Sequence, residues 1–333
     1  MKIAINGFGR IGRTFLRAAL ETDLEIVAIN DLADIKTLAH LLKYDSNYGK
    51  LKAAVKSSDK ELVINNQTIN ILSEKDPEKL PWKELGIDLV IESTGVFTDY
   101  ESASGHLNAG AGYVLITAPA KGEKPVKTFI LGVNEKDFSL EDKIISMASC
   151  TTNCLAPIAK TMEKNFGIEK STMTTIHAYT MDQRLQDDNH KDLRRSRAAA
   201  ISIIPTTTGA TKAAAKVLPA LDGKMDGISY RVPTATVSLL EFIVLLKKNT
   251  DAQEINEVFK KASQDPEYQG ALSVSEEPLV SVDYKGDSAA AIIDLLSTQV
   301  VGGNLARVVA WYDNELGYSY RLVKFCQYIK SKI

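Results

Sequence analysis

The chain has 333 residues, 44% of them hydrophobic and 25% charged, a length that exceeds one ordinary core and predicts two domains or one large α/β unit. Forty basic residues against 42 acidic ones leave a formal net charge of -2, which supplies no general attraction to nucleic acid or an acidic membrane surface. Three scattered cysteines do not make a secreted disulfide framework, and the longest apolar stretch, Leu239 to Leu246, is interrupted by Glu241 and is too short to span a bilayer.

From the N-terminus, MKIAING passes straight into a strand and a turn without a charged, apolar and small-residue leader, so a cytoplasmic address is expected. The first 150 residues repeat short β-branched runs, KIAIN, EIVAIN, DLVIES, YVLITA, TFILGV and KIISMA, which suit strands buried on both faces of a parallel sheet. Helical patterns lie between several of them, notably Arg10 to Glu21 and Ile35 to Tyr44, while LVINNQTINIL reads as a hairpin turning at Asn65 and Asn66. After Cys150 the pattern changes to long strands, as in GISYRVPTATVSLLEFIVLL, mixed with helices predicted at Thr208 to Leu218 and Asp251 to Ser263. A second domain built on a mixed sheet is expected there. No internal repeat, low-complexity linker or long block of like charge is present.

Gly7, Gly9 and Gly12 form a GxGxxG that follows the strand Ile3 to Asn6 and opens a helix. Glycines there let the backbone turn tightly and approach a pyrophosphate, whose charge the free N–H groups of the helix N-terminus stabilise. Asp31 ends the next strand 19 residues after Gly12, where an acid can accept hydrogen bonds from the adenosine ribose hydroxyls. The same carboxylate repels a 2′-phosphate, which favours NAD over NADP.

SCTTNC, Ser149 to Cys154, precedes a helical pattern carried by Leu155, Ile158, Ala159 and Met162. Residues four apart on a helix have Cβ atoms about 5 to 6 Å apart, too far for a disulfide. Cys326 and the histidines at 40, 106, 177 and 190 show no zinc-site spacing, so no metal is expected. What remains is a thiol at a helix N-terminus, where the dipole stabilises a thiolate. Cys150 is the candidate nucleophile and Cys154 the packing residue. His177, at the end of the β-rich run STMTTIHA, is the candidate base; two ordinary buried cysteines and a structural histidine are the plain reading of the same residues.

INGFGRIGR, AINDL, HLLKYDS, ESTGVF, ASCTTNCLAP, DLRRSRAAA, IIPTTTGA, RVPT and WYDNELGYSYR, in this order from Lys2 to the C-terminal helix, resemble the phosphorylating glyceraldehyde-3-phosphate dehydrogenase family. The resemblance implies an α/β fold: an NAD-binding Rossmann domain with a mostly parallel sheet over 1–148, completed by a C-terminal helix over 314–333. An α+β catalytic and tetramerisation domain with a mixed sheet would occupy 149–313. It also implies a homotetramer that oxidises glyceraldehyde 3-phosphate with NAD and inorganic phosphate through a Cys150 thiohemiacetal and thioester, His177 moving the proton. By the same resemblance Thr180, Asp182, Arg195 and Arg231 surround the substrate, and Ser149, Thr151, Thr208 and Gly209 the attacking phosphate. Arginine forks match phosphate geometry in a way lysine does not. Asp182, an acid, is expected to orient its neighbours. On the cofactor side the implied contacts are Gly7, Gly9, the backbone of Arg10 and Ile11, Asp31, Lys75, Thr117, Asn314 for the carboxamide, and Tyr318 near the nicotinamide.

The loop MDQRLQDDNHKDLRR departs from the family pattern, carrying Asp188 and Asn189 where NAD-specific relatives often carry Leu-Pro. An added carboxylate there further disfavours a 2′-phosphate. Erythrose-4-phosphate dehydrogenase shares the chemistry, but relatives of that kind usually lack the intact PTTTG. Aspartate-semialdehyde dehydrogenase lacks the ASCTTNCLAP and WYDNE contexts. A relative whose main role is protein or RNA binding would need a basic patch or an added domain, and the sequence has neither.

Overall fold

The computed structural model describes residues 1–333. The chain divides into two compact units, one comprising Met1–Phe129, Asp137–Ala148 and Leu322–Ile333, the other Ile130–Lys136 and Ser149–Arg321. The C-terminal helix Leu316–Lys330 therefore contributes to the first unit only from Leu322 onward.

In the first unit a nine-stranded sheet runs in the order Lys127–Thr128, Ile144–Ser146, Tyr113–Ile116, Leu89–Glu92, Lys2–Asn6, Glu25–Asn30, Gln67–Leu72, Glu61–Ile64, Val55–Ser57. All pairs up to Gln67–Leu72 are parallel; the last two are antiparallel. The β-branched runs are buried on both faces because helices cover them, Leu89–Glu92 and Tyr113–Ile116 being buried at every position. Trp82, Val90 and Ala4 form one apolar cluster and Ala103, Val114 and Ile116 another. Phe325, from the C-terminal helix, stacks on Phe129 and meets Phe138 edge-on, and Lys330 reaches Asp23 at 2.6 Å. The expected hairpin turns at Asn65, which takes the left-handed conformation with φ 53°.

TFILGV is a correction to the predicted strands, since only Lys127–Thr128 pairs in the sheet. Gly132 has φ 83° and would place a Cβ 2.4 Å from the Tyr268 carbonyl oxygen. The Ile130 carbonyl accepts from Val133 and Asn134, closing a turn. Ile130 and Leu131 are buried all the same; burial, not strand pairing, is what their apolar character encodes.

The second unit holds a mixed eight-stranded sheet, ordered Ile204–Thr207, Met225–Val232, Ile168–Ala178, Ser238–Leu246, Leu305–Tyr312, Ala291–Asp294, Leu272–Ser275, with Gln299–Val301 paired to Leu305–Tyr312. Ser238–Leu246 alternates buried and half-buried positions along its whole length, the period-two pattern of a sheet with one face in the core. The helix Cys150–Phe166 packs against this sheet. Helix boundaries follow their caps: Asp251 accepts from the Glu254 N–H and starts Ala252–Gln264, while Gly209 opens Ala210–Val217.

Candidate active site

In the first unit, the strand order reverses at Lys2–Asn6, which lies between Glu25–Asn30 and Leu89–Glu92. Carboxyl ends of parallel strands at such a switch point form a crevice. A cavity of about 400 Å³ opens there, lined by residues including Gly7, Gly9, Asp31, Lys75 and Thr94. Gly7 has φ 88° and would place a Cβ 2.6 Å from the Thr94 nitrogen; a Cβ on Gly12 would lie 2.3 Å from the Gly7 carbonyl oxygen. A Cβ on Gly9 would meet nothing within 4 Å beyond its chain neighbours, and the helix Arg10–Ala19 that it caps has no side-chain cap. A bare helix N-terminus beside an unobstructed glycine fits a pyrophosphate.

Asp31 is fixed at the edge of this cavity, one carboxylate oxygen accepting from the Phe8 N–H at 2.7 Å and the other from the Ala33 N–H at 2.9 Å. Its two remaining lone-pair directions suit ribose hydroxyls. The Arg10 side chain pairs with Asp45 at 2.6 Å, so Arg10 and Ile11 enter the expected contact through their backbone alone. Thr117 directly follows the strand Tyr113–Ile116, its N–H and hydroxyl both donating to the Glu92 carbonyl.

In the second unit, Ser149 caps the helix Cys150–Phe166 by accepting from the Thr152 N–H. Cys150 is thereby the first helical residue, its Sγ 3.5 Å from His177 Nε2. His177 is the penultimate residue of the strand Ile168–Ala178, and register places it directly beside Arg231 on Met225–Val232. Its Nδ1 lies 2.7 Å from the Ala178 carbonyl oxygen and 3.1 Å from Arg231 Nη1; the shorter contact, to an acceptor, requires a hydrogen on Nδ1, and in that tautomer Nε2 faces the sulfur as an acceptor. Arg231 donates to the same carbonyl at 3.2 Å and to the Thr180 hydroxyl at 3.1 Å. All three cysteines are unpaired, and Cys154 is buried.

Burial raises the Cys150 thiol above its ordinary value, although Arg231 opposes this. Burial, with the Arg231 charge, depresses His177 to about 3. Burial thus disfavours the charged form of each group.

Arg195 donates to the Thr206 hydroxyl at 2.8 Å and to the Thr207 carbonyl at 3.4 Å, and pairs with Asp182. It is thereby tied to the strand that runs into Thr208 and Gly209, where Thr208 accepts from the Ala210 N–H. Asp182 also lies 3.5 Å from His190, a geometry in which it orients Arg195 and does not itself meet an anion. Tyr318 lines a small pocket together with Cys150, Asn153 and Tyr312.

Residues 1–100 match the model of the glyceraldehyde 3-phosphate dehydrogenase NAD binding domain, and residues 149–314 that of the glyceraldehyde 3-phosphate dehydrogenase C-terminal domain. Glyceraldehyde-3-phosphate dehydrogenase of Borreliella burgdorferi is 54% identical over 333 residues, covering 98% of this chain and 99% of its own. That of Geobacillus stearothermophilus is 53% identical, covering 100% and 99%. The chain belongs to the glyceraldehyde-3-phosphate dehydrogenase family. A chloroplastic relative, glyceraldehyde-3-phosphate dehydrogenase A of Chlamydomonas reinhardtii, is 53% identical over all of this chain and 89% of its own.

For a glyceraldehyde-3-phosphate dehydrogenase, two groups of residues escaped the residue-by-residue reading. Thr175 donates to the Leu239 carbonyl at 3.2 Å, so it accepts from Tyr312 at 2.8 Å, and Tyr312 in turn accepts from Thr151 at 2.9 Å. The Thr151 hydroxyl is therefore committed to Tyr312 in this arrangement. Tyr312 also meets His177 edge-on, ring centres 5.9 Å apart. Ser238 accepts from the Ala178 N–H at 3.0 Å and donates to Asn314 Oδ1 at 2.9 Å, which leaves the Asn314 NH₂ to donate elsewhere. Val237, a β-branched residue at φ 67°, holds the entry to that strand. Tyr312 and Asn314 both lie inside WYDNE, the one sequence signal that marked this region.

Proposed function

We propose that the chain catalyses the phosphorylating oxidation of D-glyceraldehyde 3-phosphate, with NAD and inorganic phosphate, to 1,3-bisphosphoglycerate. The carrying observation is Cys150 Sγ, at the N-terminus of a 17-residue helix, 3.5 Å from His177 Nε2. His177 takes the thiol proton as sulfur bonds to the aldehyde carbon, and returns it to the carbonyl oxygen, giving a thiohemiacetal. It then removes the hydroxyl proton while the carbon's hydrogen departs with its electron pair. NAD, when bound, is the acceptor of that hydride. Phosphate attacks the resulting thioester, the carbon–sulfur bond breaks, and the thiolate recovers the proton held by His177. Oxidation energy is retained in the thioester, which a hydrated aldehyde would lose.

Arg231 and Arg195 supply forked donors for anions, with Thr180, Ser149, Thr208, Gly209 and the N–H of Thr151 as the neutral donors. Arg231 Nε is buried and without a partner, a donor that an anion would satisfy. Asn314, held by Ser238, donates to the carboxamide, and Tyr318 packs by the ring; Gly7, Gly9, Arg10, Ile11, Asp31 and Lys75 take the rest of the cofactor. NAD is the preferred nucleotide.

The working form is a homotetramer in the cytoplasm. Met181, Leu185, Leu193, Ile201 and Ile203 are all exposed within one segment of a single copy, an apolar surface that calls for a second copy. Three unpaired thiols suit a reducing compartment, and no helix is long and apolar enough to cross a membrane.

Initial rates with NAD or NADP, at matched glyceraldehyde 3-phosphate with and without phosphate, test the assignment. Phosphate-dependent NADH formation that exceeds both NADPH formation and the rate with erythrose 4-phosphate is the expected result. Turnover indifferent to phosphate, or faster with erythrose 4-phosphate, overturns it.

A further inference from the structure

Beneath the cofactor cleft lies a buried polar chain that the proposed chemistry does not use. Trp82, His106, Glu92 and Asn6 are at most 1% exposed. Trp82 Nε1 donates to His106 Nδ1 at 3.0 Å; an indole nitrogen only donates, so the imidazole hydrogen sits on Nε2. That hydrogen points at Glu92 Oε2, 3.1 Å away. Asn6 donates to the same oxygen at 2.6 Å. The other carboxylate oxygen accepts from the Thr94 N–H at 2.8 Å and from the Thr94 hydroxyl. Four donors surround a buried acid that has no cationic side chain among these partners.

These partners converge on the glycine turn. Asn6 ends the central strand and immediately precedes Gly7, and it accepts from Asn30 at 2.7 Å. Asn30 in turn exchanges bonds of 2.8 Å with the backbone of Glu74, next to Lys75. Thr94 is the backbone against which Gly7 closes, with no room for a Cβ. Asn6, Asn30, Glu74 and Thr94 all line the cleft.

We propose that Glu92 is the positioning residue of the cofactor cleft, a buried carboxylate set by the Trp82–His106 pair that fixes Asn6 and Thr94 on either side of the Gly7 turn. The inference rests on the reading of this cleft as the NAD site and extends it to residues that touch no cofactor. Its chemistry is specific to an acceptor. Glutamine at 92 would present an NH₂ to groups that are themselves donors, so one of the four must turn away. Position 106 needs an acceptor toward Trp82 and a donor toward Glu92, which a glutamine amide supplies and leucine does not.

NAD binding is measured by calorimetry on the full-length wild type and on Glu92→Gln, His106→Leu and His106→Gln, alongside KM for NAD, kcat and thermal unfolding. The expected result is a Kd for NAD raised about tenfold or more in Glu92→Gln and His106→Leu, with KM for NAD rising and kcat at saturation little changed. His106→Gln recovers most of the lost affinity. A merely structural role would lower the unfolding temperature and leave the Kd of the folded variants unmoved, and that outcome overturns the proposal. Equal losses in His106→Leu and His106→Gln overturn it too, and this pair decides the matter should Glu92→Gln not fold. A wild type that binds no NAD overturns the cofactor reading and this inference together, whereas NAD bound equally by wild type and variants overturns this inference alone.

Discussion

Replacing His177 by asparagine isolates what the imidazole does for Cys150. An ordinary thiol of pKa about 8.5 is about 3% thiolate at pH 7. Burial raises Cys150 above its ordinary value, so without an acceptor its thiolate fraction falls below that. The helix N-terminus works in the opposite direction, but its contribution is about 0.3–1 kcal/mol and at most about 2 kcal/mol when partly buried, or roughly 0.2 to 0.7 pH units and at most about 1.5. That is too little to make a thiolate at neutral pH against desolvation. Nε2 at 3.5 Å removes the problem because it receives the proton within the site. Alkylation by iodoacetamide should therefore be about 30-fold slower or more at pH 7 in His177→Asn, with its rate still climbing through pH 9. In the wild type it should be fast at neutral pH. The assay is the pseudo-first-order loss of activity or free thiol over a pH series, with circular dichroism to show that the variant is folded. Rates within threefold of each other at pH 7, or superimposable profiles, would refute the argument and leave the helix and Arg231 as the activators.

Cys150→Ser should abolish phosphate-dependent NADH formation while Cys154→Ala, altering a buried thiol one turn along, retains most of it; comparable losses in initial-rate assays would make the second cysteine chemical. Asp31→Ala should weaken NAD binding and raise the NADP to NAD ratio of kcat/KM at fixed ionic strength, because like charge is removed from beside the 2′ position; an unchanged ratio would take Asp31 off the ribose. Gly12→Ala places a Cβ 2.3 Å from the Gly7 carbonyl oxygen, so it should cost about 1–3 kcal/mol, seen as a lower Tm and, once the turn shifts, weaker NAD binding by calorimetry. Glu267 is held at about 2, below its ordinary 4.5, by hydrogen bonds from Lys160 and Lys164. Its contribution is present above pH 4.5 and is lost as pH falls toward 2. Glu267→Gln should thus destabilise by about 1 kcal/mol at pH 7, after allowance for solvent screening, and the difference from wild type should close on acidification in urea titrations.

Local signals carried the fold a long way. Alternating β-branched runs and turn residues placed most strands of the first sheet, and the hairpin came from Asn65 and Asn66, residues that accept the left-handed backbone. TFILGV shows the limit: its apolar residues are buried, but burial alone does not say whether the backbone pairs in a sheet or closes a turn on Gly132. The short strand Val55–Ser57, at the sheet edge with two exposed residues of three, has neither the length nor the pattern to stand out.

The site was legible where chemistry is carried by one residue and its local position, and opaque where it depends on register. Cys150 announces itself through the helix it begins. His177 and Arg231 are 54 residues apart and become partners only because two parallel strands align them residue against residue; a slip of one position would turn either side chain to the opposite face. The same holds for Glu92 and His106, which in sequence are an acid at a strand end and a histidine in a helix, each with an ordinary structural reading. Their meaning lies in the direction of the hydrogens. Trp82 can only donate, so His106 must accept from it and donate to Glu92, and that single constraint propagates to Asn6, Thr94 and the Gly7 turn. On the other side of the chemistry, Thr175, Tyr312 and Thr151 are ordered by the Leu239 carbonyl in the same way. Each set of buried hydroxyl, amide or ring groups is anchored by one partner of fixed polarity, and this orients the groups that the proposed chemistry needs fixed before substrate arrives.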